Sequence, residues 1–317
     1  MVYYRSDWPE AGLPKALNEQ RLVAFTNRDR GWVEETQISG VTFRWVASQS
    51  EFESNLYGFP MWSFRLEIDD ADSDMLTARP DGARLREYVN EIVRKLLDVS
   101  PWDAACVYSK VVKDEPLHTA LLQIGFEEVE YRRLYTCKIR DITSKPPSSS
   151  ARIIQLASLA TITPERLSYY REHILEICRE AFVVGYSRHF TDPALSNQLS
   201  GIKYILAAMK LNFEHVLPHH FLVAVDTDSG QVCGFSAIGR KPGLAEDVYT
   251  QLLSAVRKTY RGQRIYRGLT HLLSKTLPGD ATLLNVTHVD NRAIQRAYQD
   301  SGRVHLADTV VLRRVFL

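Results

Sequence analysis

The segment at residues 255–269 reads AVRKTYRGQRIYRGL. Its first two residues end an apolar stretch, residues 247–256, that predicts a strand. We expect a turn at residues 257–264 and a helix beginning near Ile265. Such a strand–turn–helix points several backbone N–H groups at one place, the positive end of the helix, which suits a pyrophosphate. An ordinary crossover of an α/β fold gives the same pattern, so this segment alone leaves both interpretations open.

The elements around this segment alternate helices with strands. We predict one helix opened by Thr163 and Pro164, and a second opened in the same way by Asp192 and Pro193. A turn at residues 226–230 joins two strands into a hairpin. The predicted strands of this half are residues 220–225, 231–238, 247–256 and 282–286, and residues 304–316 are a final strand or hairpin. The last predicted helix is residues 291–300, closed by Gly302.

The first half of the chain is a looser version of the same order. We predict a helix at residues 84–97, a strand at 104–108, a short helix at 117–124 stopped by Gly125, and a strand at 128–139. This helix–glycine–strand ending resembles residues 291–303, which suggests an internal duplication.

A run of proline and serine at residues 144–150 separates the two halves. Such a run holds neither a helix nor a central strand, so it indicates a linker. We therefore predict an amino-terminal domain at residues 1–143, a linker at 144–151 and a second domain at 152–317.

The composition restricts the classes of partner. Lys and Arg number 39 against 38 Asp and Glu, a formal net charge of +1, which argues against a nucleic-acid partner and against an anionic membrane. No apolar run approaches the roughly 18 residues of a membrane helix, and the amino terminus lacks the apolar core of a secretory signal. The four cysteines are far apart and no histidines cluster at zinc spacing. We therefore predict no metal, no disulfide framework and a cytoplasmic protein.

Two segments together carry a family resemblance: residues 255–269, and residues 283–302, which read LLNVTHVDNRAIQRAYQDSG. Their order and separation resemble the Gcn5-related N-acetyltransferase (GNAT) superfamily, where an Ala-Val strand end precedes Arg-Gly-x-Gly-x-Gly and a later helix carries Asn, Tyr and Gly. The resemblance covers residues 158–317, and the first half only loosely. It implies an α/β fold with a mixed, mostly antiparallel sheet flanked by helices, in a tandem whose amino-terminal copy is degenerate.

The resemblance also implies acetyl-CoA as co-substrate. The second and third glycines of the family's loop are Arg264 and Tyr266 here. Arg264 either reaches the phosphates or crowds the loop, because glycine lets backbone approach a ligand without an intervening Cβ. Asn291 bonds the cofactor, caps the last helix, or does both. The residues implied to bind the cofactor are Leu253, Ser254, Ala255, Val256, Arg261, Gly262, Gln263, Arg264, Ile265, Tyr266 and Asn291.

Tyr298 stands at the family's acid position and is the predicted catalytic residue. Its reference pKa near 10 exceeds the thiol value of about 8.5, so it assists a departing thiolate by hydrogen bonding and transfers a proton only if the site shifts these values. The alternative is that Tyr298 packs under the sheet. The first half has no Arg-Gly-x-Gly, and Leu121 stands four residues before Gly125, where Tyr298 precedes Gly302.

The acceptor side rests on shorter matches. Residues 186–193 and 55–60 resemble the sugar-nucleotide branch typified by dTDP-fucosamine acetyltransferase, which places Arg188 and His189 beside the acceptor. Asp192 is better interpreted as a helix cap. The sequence does not identify the base that deprotonates the amine. The candidates are Glu246, Asp247 and His288.

We therefore predict an acetyl-CoA-dependent N-acetyltransferase that acts on a primary amine of a small molecule by direct transfer in a ternary complex. An amino sugar carried on a nucleotide is one candidate acceptor. The alternatives are a degenerate module that binds CoA or a partner without turnover, and an acetyltransferase for a protein or antibiotic-type amine. A homodimer is compatible with the sequence.

Overall fold

The structure is a computed structural model. It describes residues 3–5, 31–38, 41–69, 87, 91, 106–114, 116–143, 151–155, 163–182, 187–195, 198–215, 221–240 and 247–315. Positions 87 and 91 are helical. The rest of the predicted helix at residues 84–97 and the linker at 144–150 lie outside the described residues, so the domain boundaries stay predictions.

The described strands form one sheet that runs through both halves of the chain. They are β1 (Tyr3–Arg5), β2 (Gly31–Ile38), β3 (Val41–Gln49), β4 (Met61–Asp69), β5 (Cys106–Val112), β6 (Glu127–Lys138), β7 (Ala151–Gln155), β8 (Phe221–Asp226), β9 (Val232–Arg240), β10 (Val248–Val256), β11 (Thr282–His288) and β12 (Val304–Val315). Their order is β2-β3-β4-β5-β12-β6-β11-β10-β9-β8-β7, with β1 on β4. The pairs β4–β5 and β10–β11 are parallel, and the other pairs are antiparallel. The predicted mixed, mostly antiparallel sheet is confirmed.

The two halves exchange their last strands. β6 ends the first half in sequence but pairs with β11 of the second half. β12 ends the second half but pairs with β5 of the first, and β6 and β12 pair with each other at the centre. The strand order is therefore symmetric about the β6–β12 pair, and the parallel pairs β4–β5 and β10–β11 occupy equivalent places on either side of it.

Helices cover both faces of the sheet. The described ones are α1 (Glu51–Tyr57), α2 (Pro116–Gln123), α3 (Pro164–Ala181), α4 (Arg188–Thr191), α5 (Gln198–His215), α6 (Ile265–Thr276) and α7 (Arg292–Asp300). Along β8, Val223 joins the buried cluster of Ile174 and Met209 on α3 and α5. Its neighbour Leu222 points the other way and joins the cluster of Leu269 on α6, as strand alternation requires. Among the described residues, no helix is long and apolar enough to span a membrane.

The prediction of a helix opened by Asp192 is wrong. Asp192 follows α4 and precedes a short 3-10 turn, Pro193–Leu195, and α5 begins only further along the chain. The carboxylate does accept the N–H of Ala194 at 2.9 Å, as a cap does, but it also accepts the Tyr108 hydroxyl at 2.9 Å and pairs with Arg313. These distant partners fix the local backbone, and a sequence pattern does not reveal them.

The same turn follows α2 and α7. Each contains a glycine with positive φ, 88° at position 125 and 85° at position 302. After the first, Phe126 donates its N–H to the Leu121 carbonyl at 3.1 Å, and after the second, Arg303 donates to the Tyr298 carbonyl at 3.1 Å. Both are helix endings of the Schellman type, which require a residue that tolerates the left-handed region.

Candidate active site

The parallel strands β10 and β11 pair over a short length and then separate. Their last pair joins Thr250 to Leu284. Beyond it β10 continues along β9 and β11 along β6, so residues 251–256 and 285–288 border a gap, called the notch below. A bulge at Leu252, where the register with β9 shifts, accompanies the separation. The notch thus borders the strand end that was predicted to meet the cofactor.

The loop between β10 and α6 has the backbone of a glycine-rich loop. Gly262 and Arg264 both have positive φ, 82° and 60°. Arg264 stands where the superfamily that the sequence resembles has glycine. A positive φ costs a non-glycine residue about 1–2 kcal/mol. A Cβ added at Gly262 would meet nothing within 4 Å. Arg264 therefore keeps the conformation that glycine would adopt, and the loop remains open at Gly262.

The side chains around this loop are cationic. Arg261 and Arg264 are exposed. Arg257 is buried instead and pairs with Glu176 and Glu180 of α3 at 3.1 and 2.9 Å, so it fastens the end of β10 to that helix. The N–H groups of the first turn of α6 have no partners within the helix. Together with the exposed arginines, they make this end of the helix suitable for a polyanion.

A hydrogen-bond network lies where the notch begins, and Gln251 is its centre. The amide oxygen of Gln251 accepts from the Tyr266 hydroxyl at 2.8 Å and from Asn285 Nδ2 at 2.7 Å. Its amide nitrogen donates to the hydroxyls of Ser236 and Ser254 at 2.8 and 2.5 Å. All four hydrogen-bonding positions of the amide are therefore filled. Tyr266 and Ser254, both predicted from the sequence, meet through a glutamine that was not.

Tyr298 adjoins this network from α7. It is 4% exposed, and its ring centroid lies 5.3 Å from that of Tyr135 and 6.4 Å from that of Tyr266. Burial is the main cause that raises the pKa of Tyr298 well above 10, and Tyr266 adds to it. Arg303, whose Cζ lies 5.0 Å from the ring centroid, acts in the opposite direction.

Asn291 lies at the amino end of α7 and caps it. Its side-chain oxygen accepts the N–H of Ile294 at 3.4 Å. Nearby, Gln295 donates to the backbone carbonyls of His288 and Val289 at 3.1 and 2.6 Å, which fixes the connection from β11 to α7. Capping therefore accounts for Asn291 as it stands, and a bond to the cofactor stays a prediction.

The three candidate bases differ in their position and in their contacts. His288 Nδ1 accepts the N–H of Asp290 at 3.1 Å. The Asp290 carboxylate lies 3.5 Å from the same nitrogen, so both contacts hold the His288 ring beside the start of α7. Asp247 precedes β10 at the end away from the notch and pairs with Arg240. Glu246 lies outside the described residues.

Arg188 and His189 belong to a different cluster, where α4 packs against the first half of the chain. The Arg188 guanidinium donates to Glu53 at 2.5 Å and lies 3.8 Å from the ring centroid of Tyr108. The backbone N–H of Arg188 donates to Glu130 at 3.1 Å. Glu53 therefore engages one nitrogen of the guanidinium, and the Tyr108 ring covers one of its faces.

His189 is stacked between two tyrosines from different halves of the chain. Its ring centroid lies 3.5 Å from that of Tyr204 and 6.0 Å from that of Tyr57, whose hydroxyl is 2.7 Å from Nδ1. Burial, followed by the charges of Arg188 and Arg132, lowers the pKa of His189 from 6.5 to about 2. The ring is therefore neutral, and it joins the two halves by stacking and by one hydrogen bond.

A cavity of about 290 Å³ separates α6 from α7. It is lined by Thr143, Tyr266, Arg267, Thr270, Ala297, Asp300 and Ser301. Arg267 and Asp300 pair at 2.5 Å between the two helices. The cavity thus adjoins the network at Tyr266. Over the residues that the structure describes, no group of three or more His, Cys, Asp and Glu side chains could hold a metal ion.

Known structures resemble this architecture over most of the chain, although no family model and no curated protein matches it. A tandem GNAT protein from the clavulanic acid biosynthesis pathway matches with a TM-score of 0.51 at 12% identity, over 90% of this chain and 84% of that one. A GCN5-related N-acetyltransferase from Kribbella flavida matches with a TM-score of 0.50 at 13% identity, over 90% of each chain. The chain has the GNAT fold.

A third match is a functionally unknown conserved protein from Staphylococcus epidermidis ATCC 12228, with a TM-score of 0.51 at 12% identity, over 90% of this chain and 95% of that one. At such identities the likeness shows the GNAT fold alone, which confirms the fold predicted from the sequence. The sugar-nucleotide branch suggested by residues 55–60 and 186–193 stays a prediction.

Three residues of the GNAT-fold site were missed by sequence reasoning: Gln251, Asn285 and Arg303. Each is a polar side chain in or beside an apolar strand, and Asn285 is completely buried within TLLNVTH. A buried polar residue must find hydrogen-bond partners, so its presence in such a strand is the signal that could have found it.

Proposed function

We propose that this GNAT-fold chain is an N-acetyltransferase that transfers an acetyl group from acetyl-CoA to a primary amine of a small molecule. The observation that carries the proposal is the notch: β10 and β11 separate after Thr250 and Leu284, and the ring centroid of Tyr298 lies 6.4 Å from that of Tyr266, whose hydroxyl bonds to Gln251 just past that pair. An amino sugar on a nucleotide, a protein amine and an antibiotic-type amine are the acceptor classes to compare. Cytoplasmic location and a homodimer stay predictions.

The loop fits the pyrophosphate of an acyl-CoA. Gly262 leaves open space where a Cβ would stand, the first turn of α6 offers N–H groups, and Arg261 and Arg264 add positive charge. Acetyl-CoA, when bound, supplies a thioester whose carbonyl carbon is the electrophile. The residues that would hold its arm border the notch: Leu253, Ser254, Ala255 and Val256.

Tyr298 acts as a hydrogen-bond donor in this proposal. Its raised pKa keeps the proton on the phenol at neutral pH, and the thiol reference value is about 8.5, so complete transfer to a thiolate is unfavourable. A hydrogen bond from a fixed donor still stabilises negative charge on sulfur, because a buried site has no water to reorganise. Arg303 contributes by partly offsetting the rise in the pKa of Tyr298.

A module that binds acetyl-CoA without turnover is the second candidate. The observation in its favour is that Tyr298 is 4% exposed and that its ring packs on that of Tyr135. In such a module the notch would hold the ligand while the phenol stayed buried.

Two measurements separate these functions: calorimetric titration with acetyl-CoA, then thiol release in the presence of a series of primary amines. For an enzyme we expect binding and release, with kcat about 100-fold lower in Tyr298→Phe and acetyl-CoA affinity unchanged. Tyr169→Phe is the matched control, because its hydroxyl donates to the Gly230 carbonyl on the surface. Binding without release for every amine would favour the module, and absence of binding would contradict both.

A further inference from the structure

The inner end of the notch, where β10 and β11 meet, is closed by a side-chain bridge between the two strands. Gln251 on β10 and Asn285 on β11 are the first residues past the last strand pair. Asn285 Nδ2 donates to Gln251 Oε1 at 2.7 Å, so the two amides meet across the gap. A third side chain joins them from α6, because the Tyr266 hydroxyl donates to the same oxygen at 2.8 Å. The bridge thus lies at one end of the notch, and the loop at residues 257–264 lies at the other.

Hydrogen bonds hold this bridge in one orientation. Arginine donates hydrogen bonds and accepts none, so the Nε of Arg303, 2.9 Å from Asn285 Oδ1, donates to that oxygen. The nitrogen of Asn285 therefore faces Gln251 and donates to its oxygen. The nitrogen of Gln251 is left to donate to the hydroxyls of Ser236 and Ser254, at 2.8 and 2.5 Å. With all its positions filled, the Gln251 amide cannot swing aside without leaving several partners unpaired.

An acyl-CoA in the notch would direct its acyl group at the bridge. The loop that suits the pyrophosphate follows β10, and residues 253–256 lie between that loop and Gln251. At about 3.3 Å per residue, the stretch from residue 257 back to residue 251 spans about 20 Å. An extended pantetheine arm has a comparable length. An arm anchored at the loop and lying along β10 therefore places its thioester and acyl group beside Gln251.

The cavity between α6 and α7 adjoins the bridge at Tyr266. The Tyr266 hydroxyl bonds to Gln251, and the same residue lines this cavity of about 290 Å³. Tyr266 stands at the third glycine of the loop in the superfamily that the sequence resembles. A glycine there has no side chain that could reach Gln251. The Tyr266 side chain therefore fills space beside the cavity that a glycine would leave open.

We propose that Gln251, with Tyr266, sets the length of the acyl group that the notch accepts: acetyl fits, and longer chains such as hexanoyl are excluded. The inference rests on the proposed function, because it needs an acyl-CoA in the notch. A longer chain would have to displace the Gln251 amide and leave its partners unpaired. Asn285 is completely buried, so no water replaces its lost bond. The bridge is also polar, so methylene groups beside it gain little from burial.

Calorimetric titration of the full chain with CoA, acetyl-CoA, butyryl-CoA and hexanoyl-CoA tests the length limit without any amine. We expect hexanoyl-CoA to bind at least about 10-fold more weakly than acetyl-CoA, with butyryl-CoA between them. Equal affinities over the series would overturn the inference and leave the proposed function standing. If neither CoA nor any acyl-CoA binds, the proposed function is contradicted and the inference is overturned with it.

Gln251→Ala tests whether the bridge is responsible for the limit. It removes the amide and opens the inner end, so we expect the affinity for hexanoyl-CoA to rise at least about 10-fold relative to that for acetyl-CoA. The matched control is Gln299→Ala, at an exposed position on α7, which should keep the wild-type ratio of the two affinities. Should Gln251→Ala fail to fold, Gln251→Ser opens the same space and keeps one hydroxyl for the partners. A wild-type ratio in a folded Gln251 variant overturns the inference.

Two variants of Tyr266 separate its ring from its hydrogen bond. Tyr266→Phe keeps the ring and loses one bond to Gln251, so the ratio of the two affinities should stay close to that of the wild type. Tyr266→Ala removes the ring and opens the inner end toward the cavity, so hexanoyl-CoA should gain affinity relative to acetyl-CoA. Equal ratios in these two variants would show that the ring excludes nothing, and would overturn the part of the proposal that concerns Tyr266.

Discussion

The turns that follow α2 and α7 share one backbone and differ in chemistry. Both end the helix at a glycine with positive φ and close it with the same backbone hydrogen bond. The bonded residues are Leu121 and Phe126 in the first half, and Tyr298 and Arg303 in the second, all buried. The turn needs its glycine, whereas the polar network needs the side chains on either side of it. The first half therefore keeps the frame of the site without its hydrogen-bonding groups.

The largest difference is expected between Leu121→Ala and Tyr298→Phe. Leu121 is completely buried, so its truncation should lower the free energy of unfolding by about 2–5 kcal/mol. Tyr298→Phe keeps the packed ring and removes only the hydroxyl, so it should cost about 1 kcal/mol or less. Urea denaturation measures both. Equal losses would mean that the two positions do the same structural work.

The two glycines give the next contrast. Alanine at either position must adopt positive φ, at a cost of about 1–2 kcal/mol. At Gly302 its Cβ would also meet the Asp141 carbonyl oxygen at 2.8 Å, whereas at Gly125 the nearest atom is Arg314 Cζ at 4.0 Å. We expect Gly302→Ala to lower the free energy of unfolding by about 1 kcal/mol or more beyond Gly125→Ala. Equal effects would show that the segment at residue 141 moves aside.

The smallest expected effect is a pH dependence of the free energy of unfolding, and it arises from His189 in α4 of the second half. The pKa of His189 is about 2 when folded and near 6.5 when unfolded. Its stabilisation is therefore present above pH 6.5 and is lost as the pH falls toward 2, because only the unfolded chain binds the proton. Between pH 6.5 and 5.5 the loss is about 1 kcal/mol. Denaturation at several pH values should show this slope flattened in His189→Phe.

His305→Gln is the control for this pH prediction. His305 is exposed and bonds to Asp308 three residues away, so its environment changes less on unfolding. The slope between pH 6.5 and 5.5 should persist in this variant. If it disappears in His305→Gln and persists in His189→Phe, the assignment to α4 is wrong.

The elements with local signals were predictable from the sequence. The cap at Thr163 and the glycines at positions 125 and 302 end or begin helices where expected, because each acts within one turn of backbone. The exchange of β6 and β12 was not predictable, since alternation of side chains tells which face of a strand is buried but not which strand lies beside it. The prediction of a helix opened by Asp192 was wrong for the same reason, because the partners of Asp192 are distant in the sequence.

The site divides in the same way. The spacing of the loop, Asn291 and Tyr298 along the chain could be read from the sequence, and the structure places the Tyr298 ring 6.4 Å from that of Tyr266 at the end of the loop. The left-handed backbone of Arg264 was not expected, because a residue with a Cβ rarely adopts it. Arg303 donates a hydrogen bond to Asn285, and the two residues are adjacent only once β11 and the turn after α7 have assembled.

The interleaving of the halves has a consequence during translation. Residues 127–138 leave the ribosome before either neighbouring strand, at residues 282–288 and 304–315, has been made. At about 5–20 residues per second, that interval is on the order of 10 s. Throughout it the nascent chain presents a strand edge with no partner, so a chaperone at the tunnel exit would meet this protein with its central sheet still incomplete.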